Sequence, residues 1–271
     1  MGKAVEKKGR FNEDALMCNE MHFDAKEAYK LLRTNVIYTL PDIKCRKIAI
    51  TSPNRGEGKS TVAINLAYTL SVTKSKVLLI DLDLRLPSIA KKLNKTVEVG
   101  IADYLAGSVN ESQIINKTEY ENWDIVYSGS IPPTPAELIG SEKMKKFISD
   151  MENKYEYIII DLPPTNVVSD ALVAKEIIDG FVIVVRENYS DKRSLADCLR
   201  QLDFLDSNVL GFCLVDSDGT NSYYNRKYYK KYSKYYYRRG YGYYKHYGYG
   251  YNSDYNRDEK IDDWFSYTYS S

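Results

Sequence analysis

The chain has 271 residues, 28% of them charged and 13% aromatic, and its formal net charge is only +1. Two histidines, His22 and His246, argue against histidine-based catalysis. The four scattered cysteines (Cys18, Cys45, Cys198, Cys213) show no metal or redox spacing and read as reduced thiols of a cytoplasmic protein. No run reaches the ~18 apolar residues of a membrane span, and the polar N-terminus lacks a signal-peptide core. The near-neutral total hides an asymmetry: residues 221–271 carry ten Lys/Arg against five Asp/Glu, a net of +5, which leaves −4 for the rest.

Residues 1–22 are polar and weakly patterned and read as an arm. Asp24 followed by Glu27 predicts a capping box. Ala28, Leu31, Leu32, Val36 and Leu40 then predict an apolar helical stripe that Pro41 ends. Glu27, Lys30 and Arg33 lie on the opposite face, where a solvated face with a local ion pair is an equally good reading.

The stretch Ser52–Thr61 follows the apolar run Ile48-Ala49-Ile50 and leads into a helical pattern at Val62, Ala63, Leu66, Ala67 and Leu70. A strand, a glycine-bearing loop and a helix N-terminus in that order make a phosphate cradle. Gly56 and Gly58 let backbone N–H groups approach phosphate oxygens, so Asn54, Arg55, Gly56, Glu57, Gly58, Lys59, Ser60 and Thr61 are the candidate nucleotide-binding residues. Lys59 would reach the β- and γ-phosphates, and the Ser60 hydroxyl would ligate Mg²⁺. Pro53 stands where such loops usually begin with Gly.

Val77–Ile80 is apolar without alternation, the mark of a strand buried on both faces, and Asp81-Leu82-Asp83-Leu84-Arg85 follows it. Ligands gather at the carboxyl ends of such strands, so Asp81 and Asp83 are candidate catalytic acids. Arg85 and Mg²⁺ are both candidates to share their charge; capping of the next helix is the competing reading of these acids. Trp123–Tyr127 predicts another strand. After it, Thr134 at N-cap, Pro135 at N1 and Glu137 at N3 predict a helix start behind the proline-rich stretch Gly129–Leu138. Tyr157–Ile160 ends in Asp161, the second half of a phosphate-loop site, whose carboxylate holds Mg²⁺. Gly180–Val185 and Val209–Val215 predict two more strands of the buried type. The alternation from 47 to 216 predicts an α/β fold of the P-loop NTPase kind, a mostly parallel sheet flanked by helices.

The domain reading is therefore an arm at 1–22, a nucleotide-binding domain at 23–220 and a tail at 221–271. The tail holds 17 of the 26 tyrosines; its stretch 221–251 has eight Lys/Arg and no Asp/Glu. Almost without Leu, Ile or Val, the tail cannot bury a core and is expected to be disordered. Three motifs on three strand ends give a Mg-ATP or Mg-GTP site. Beside such a site, a tyrosine-dense tail is a candidate phosphoacceptor, with Tyr235, Tyr236, Tyr237, Tyr241, Tyr243, Tyr244, Tyr247, Tyr249 and Tyr251 as its acceptors. Asp81 is the first candidate to orient the phenol and take its proton, and Asp83 the second. Each phosphate adds about −1.5 to −2 charges, so a few would cancel the tail's +5.

These residues resemble the bacterial tyrosine kinases of capsule and exopolysaccharide synthesis over roughly residues 24–255. The phosphate loop is similar at Ser52–Thr61, the Asp-x-Asp-x-Arg motif at Val77–Arg85, and the third nucleotide motif at Ile158–Pro164. The proline-rich loop is similar at Gly129–Leu138, with Thr134 for Asn. Glu27, Lys30 and Arg33 resemble the family's oligomerisation helix, with Lys for its first Arg. The resemblance implies ATP and Mg²⁺ as cofactors, with Ser60, Asp81 and Asp161 at the metal and Lys59, Asp81, Asp83 and Arg85 as catalytic residues. It also implies autophosphorylation in trans within a ring that phosphorylation dissolves, and control of polysaccharide synthesis and export. The implied partners are a membrane-spanning activator of the polysaccharide co-polymerase type, a cognate tyrosine phosphatase and possible exogenous protein substrates. The implied location is cytoplasmic, at the inner face of the membrane through the activator.

Two other readings compete. A MinD/ParA-like ATPase switch would carry a Lys near the start of the loop, about where Asn54 stands. A nucleic-acid binder would use the tail's interleaved Tyr, Arg and Gly to stack on bases, and nucleic acid is the less expected partner.

Overall fold

A computed structural model describes residues 16–17 and 21–216. The expectations for most of the arm and for the tail, including every candidate acceptor from Tyr235 to Tyr251, lie outside the described residues.

In chain order the elements are α1 (Phe23–Thr39), β1 (Arg46–Thr51), α2 (Lys59–Ser71), β2 (Val77–Asp81), α3 (Ile89–Lys92), α4 (Ile101–Leu105), α5 (Glu111–Ile114), β3 (Ile115–Lys117), β4 (Trp123–Val126), α6 (Pro135–Ile139), α7 (Glu142–Glu152), β5 (Tyr157–Asp161), α8 (Asp170–Val173), a 3₁₀ turn (Ala174–Ile177), β6 (Gly180–Arg186), α9 (Lys192–Phe204) and β7 (Val209–Val215). They form one seven-stranded sheet in the order β3-β4-β2-β5-β1-β6-β7. All neighbours are parallel except β3, which runs antiparallel to β4 at the edge. The expected mostly parallel sheet is present; the short antiparallel edge strand was not legible, because three residues are too few to show a period.

The four central strands are apolar because both of their faces are covered. Alternate residues of one strand serve opposite cores. Ile158 and Ile160 join Met144, Phe147, Leu195 and Leu202 on one side, while Tyr157 and Ile159 join Val62, Leu66, Leu70 and Val36 on the other. Each fully buried aliphatic side chain contributes about 1.5–3 kcal/mol, so the strand ends that carry the acids rest on the stiffest part of the molecule.

Three sequence expectations fail here. The Asp24–Glu27 capping box does not form: α1 starts two residues earlier, at Phe23, its N-cap His22 makes no side-chain cap bond, and Glu27 accepts from Lys30 Nζ at 2.6 Å. The stripe on α1 is rotated, so that Val36 and Leu40 are buried while Ala28 is exposed and Leu31 is 56% exposed. Leu32 packs inward as expected, and Tyr29 and Ile37 join it on the inner face in place of Ala28 and Leu31. Last, β7 is not a strand buried on both faces. It is an edge strand whose Phe212 and Leu214 stand 55% and 57% exposed, and whose register against β6 shifts at Phe181/Val182. A fully apolar sequence at an edge looks like a central strand until the neighbour is known to be missing.

The arm is not wholly detached. Leu16 is buried, and the Met17 amide donates to Asn65 Oδ1 on α2 at 2.8 Å.

Candidate active site

Parallel pairing brings the carboxyl ends of β1, β5 and β2 side by side, with Asp81 and Asp161 in register across β2 and β5. The loop after β1 turns through Gly56 (φ +80°) and Gly58 (φ +92°) into α2. Those dihedrals are open to glycine and strained for other residues, which is the physical content of the two glycines in the motif. Lys59 and Ser60 open the helix, so that both side chains project toward the acids.

Lys59 Nζ lies 2.8 Å from Asp83 Oδ2 and 4.0 Å from Asp161 Oδ1. Burial alone would lower its pKa, but Asp161 and Asp83 outweigh that and the net shift is upward. Asp161 is fully buried and neither carboxylate oxygen has a hydrogen-bond partner. Burial drives its pKa up, against the lowering influence of Lys59 and Ser60. Asp81 is also pushed up, first by burial and then by the charge of Asp161. Two buried acids side by side, with Lys59 4.0 Å from one of them, are costly unless a further cation joins them.

That is the donor set a Mg²⁺ ion suits. Among the described residues no three His, Cys, Asp or Glu gather as a self-sufficient metal centre. Mg²⁺ is commonly held by one or two protein oxygens with phosphate and water completing the shell. The orphaned oxygens of Asp161 beside Ser60 therefore fit the ion, and the glycine turn fits the phosphates that would bring it.

Asp81 and Asp83, alike in sequence, differ in place. Asp81 Oδ1 accepts from the Asp83 amide at 3.3 Å and Oδ2 from the Ile89 amide at 3.1 Å, at the first residue of α3. The helix-capping reading thus describes what Asp81 does here. Asp83 lines a cavity of about 320 Å³ together with Lys59, Ser60, Arg85 and Pro164. Arg85 does not share the charge of either acid directly: it forks onto the buried Asp170 of α8 at 2.8 and 3.0 Å. Sequence reasoning missed Asp170, because nothing in a short helix marks which of its acids is buried.

The phosphate loop also has an outer brace that the motif does not reveal. Glu57, expected at the nucleotide, is fully buried and turned away from it. It accepts from the Asn54 amide at 2.8 Å and from the Ser190 hydroxyl. The Tyr189 hydroxyl donates to the Arg55 carbonyl at 2.9 Å, and Arg186 Nη1 donates to the Gly56 carbonyl at 3.1 Å. Arg186 is held in turn by Asp216 at 2.6 Å, at the end of β7. Asn54 and Glu57 thus shape the loop from within. Asn54, Glu57 and Thr61 are not among the cavity's lining residues, whereas Arg55, Gly56, Gly58, Lys59 and Ser60 are.

Of the proposed oligomerisation residues, Glu27 and Lys30 pair with each other on α1. Arg33 points inward and donates to the Thr69 carbonyl of α2 at 2.9 Å. In the proline-rich loop, Thr134 and Pro135 start α6 as expected, though the Thr134 side chain makes no cap bond.

Comparison with known proteins agrees with this geometry. A family model described as an AAA domain matches residues 45–209. The tyrosine-protein kinase YwqD of Bacillus subtilis is 35% identical over 185 residues, spanning 68% of this chain and 78% of that protein. The solved kinase domain of Escherichia coli tyrosine kinase ETK superposes with a TM-score of 0.67 at 26% identity, over 73% of this chain and 80% of that one. The septum site-determining protein MinD of Pyrococcus horikoshii, solved with Mg-ADP, is more distant in shape, with a TM-score of 0.54 at 27% identity over 64% and 72% of the two chains.

Proposed function

Because the chain belongs to the family of bacterial tyrosine-protein kinases, we propose that it moves the γ-phosphoryl group of ATP onto tyrosines of its own C-terminal tail, one molecule serving another. The observation that carries this reading is the meeting of Lys59 and Asp83 in the lining of one cavity, with Asp161 buried 4.0 Å from Lys59 Nζ.

Each residue then has a role. Gly56, Gly58 and the first turn of α2 take the phosphates. Lys59 leaves Asp83 and Asp161 for the β- and γ-oxygens, and its transfer frees Asp83 to face the acceptor. Ser60 and Asp161 would hold Mg²⁺, with Asp81 beside them. When bound, the ion supplies charge neutralisation between the β- and γ-phosphates. Asp83, which lines the cavity and gives one oxygen to a backbone amide (Leu86, 3.1 Å), orients the phenol and accepts its proton in preference to Asp81, both of whose oxygens serve backbone amides. In the transfer the bond from the γ-phosphorus to the bridging oxygen breaks and its electron pair leaves with ADP. A bond from that phosphorus to the tyrosine Oη forms, and the phenolic proton passes to the Asp83 carboxylate. A phenol of pKa ~10 is a weak nucleophile at pH 7. A loose transition state asks mainly for alignment and charge neutralisation, which these residues provide.

The remaining parts of the reading rest on the resemblance. Exchange of tails between subunits calls for an oligomer, and α1 offers a face for it, with Leu31 at 56% and Tyr38 at 77% exposure. No helix among the described residues is long and apolar enough to cross a membrane. By the resemblance, recruitment to the membrane would fall to a separate membrane-spanning activator, in the service of capsular or extracellular polysaccharide synthesis and export, with a phosphatase resetting the tail.

The test is phosphosite mapping by mass spectrometry after incubation with Mg-ATP and an activator fragment. Phosphotyrosine at several tail positions, abolished in Lys59→Ala, is the expected result. ATP hydrolysis without phosphotyrosine would instead favour the nucleotide-switch reading.

A further inference from the structure

Arg85 joins the cavity lining from the loop after β2, yet it is held by a residue that leaves a different strand. Its Nε donates to Asp170 Oδ2 at 2.8 Å and its Nη2 to Asp170 Oδ1 at 3.0 Å. The Asp170 side chain has no exposed surface, whereas that of Arg85 is 40% exposed. Both oxygens of the acid are thus spent on one edge of the guanidinium, and a planar group bonded twice along an edge cannot swing. The remaining nitrogen, Nη1, lies on the edge away from Asp170 and has no hydrogen-bond partner among the described residues.

The anchor is itself fixed from several sides. Asp170 opens α8 on the segment that leaves β5 at Asp161. That segment runs along the base of the phosphate loop. The Pro163 carbonyl accepts from Thr51 Oγ1 at 2.8 Å, and the Thr165 and Asn166 amides donate to the Ser52 and Pro53 carbonyls at 3.0 and 3.3 Å. Asn166 is also tied to α9, donating to the Ser194 carbonyl at 2.7 Å and accepting from Gln201 at 2.9 Å. The end of α6 lies so close to α8 that a Cβ on Gly140 would meet Val173 Cγ1 at 2.9 Å. One stretch of chain therefore carries Asp161 at one end and the anchor of Arg85 at the other, with the start of the phosphate loop bonded between them.

We propose that Asp170 is a positioning residue for phosphoryl transfer, which aims Arg85 at the oxygens of the γ-phosphate. This rests on the kinase reading above and deepens it. Arg85 belongs to the γ end because it shares the cavity lining with Asp83 and Lys59, which bond to each other at 2.8 Å. Asp170 offsets the charge of Arg85, so what meets the phosphate is a directed N–H donor and not a free cation. A donor ordered in advance loses little further freedom on binding. The competing account is a tie that only holds α8 against the loop after β2. A donor aimed at the γ-phosphate matters to ATP and not to ADP, whereas a tie matters to both alike.

The experiment measures binding of Mg-ADP and of the non-hydrolysable analogue Mg-AMP-PNP to the full chain by calorimetry, with the Tm of the nucleotide-free protein recorded beside it. The variants are Asp170→Asn, Arg85→Lys and the two together. Asp170→Asn keeps one acceptor oxygen and sets an amide NH2 against the second guanidinium donor, which opens the fork. Arg85→Lys keeps a charge beside Asp170 and loses the fork. Each is expected to weaken AMP-PNP binding by roughly tenfold, with ADP binding nearly unchanged. The double variant should bind AMP-PNP no more weakly than the weaker single one. Equal losses for both nucleotides, no loss for either, or losses that add in the double variant overturn the inference and leave the kinase reading intact. Should Asp170→Asn not fold, the same outcomes are read on Arg85→Lys, where an unchanged preference between the two nucleotides overturns the inference. A wild-type chain that binds neither nucleotide overturns the kinase reading and this inference with it.

Discussion

Lys59, Asp81, Asp83 and Asp161 are recognisable in the sequence as a set, but only coordinates separate the two acids of Asp81-Leu82-Asp83. Two residues along a chain leaving a strand are enough to give one carboxylate two backbone amides to accept from, and the other a single amide, that of Leu86, with its second oxygen on Lys59 in the cavity lining. Two substitutions distinguish them. Asp83→Asn should lower kcat by about 10²-fold, the lower end of what a positioned base contributes, with little change in KM for ATP. Asp81→Asn removes a buried charge facing Asp161 and keeps an oxygen for the Ile89 amide, while its NH2 displaces the longer 3.3 Å contact with the Asp83 amide. It should therefore raise the melting temperature of the nucleotide-free protein by a few degrees, for a gain of about 1 kcal/mol. Thermal unfolding without nucleotide reads this directly, and an unchanged or lower Tm would mean that Asp161 does not burden Asp81. The sequence could not announce Glu57 as a loop brace or Asp170 as the partner of Arg85. Both roles depend on which distant segment covers the residue, and a single acid carries no mark of its cover.

At the scale of elements, strands β1, β2, β5 and β6 were legible because double burial writes an unbroken apolar run. The helix after the phosphate loop was legible for its periodicity. What failed was orientation at the periphery, where α1 turned its stripe and β7 proved to be an edge. The exposed side of α1 carries its own prediction. Leu31→Glu with Tyr38→Glu should shift the protein to monomer in light scattering while leaving its Tm within a few degrees, since neither side chain is buried. Persistence of the oligomer would place the subunit contact elsewhere. The brace made by β6, its following turn and the end of β7 can be tested the same way. Arg186 contacts the Gly56 carbonyl and is steered by Asp216, so Arg186→Ala should raise KM for ATP several-fold with kcat nearly unchanged. Asp216→Asn should do so more weakly, because the pair is largely solvent-exposed and worth under about 1 kcal/mol. A double mutant no worse than Arg186→Ala alone would show that Asp216 acts through Arg186.

For the whole molecule, the account joins a rigid α/β body that holds nucleotide to a tail whose tyrosines receive the phosphate. The described residues end just after β7, at Asp216, which holds Arg186 against the Gly56 carbonyl of the phosphate loop. In sequence, residues 1–220 carry a net of −4 and the tail a net of +5, which a few phosphates would cancel. The most direct measurement mixes two disabled chains, Lys59→Ala with its tail intact and an otherwise active chain truncated after residue 220, and follows phosphotyrosine on the intact tail. The account predicts little label in either chain alone and strong label on the Lys59→Ala tail in the mixture, rising with concentration. An unlabelled tail in the mixture, where the wild-type chain labels its own under the same conditions, would contradict transfer between molecules.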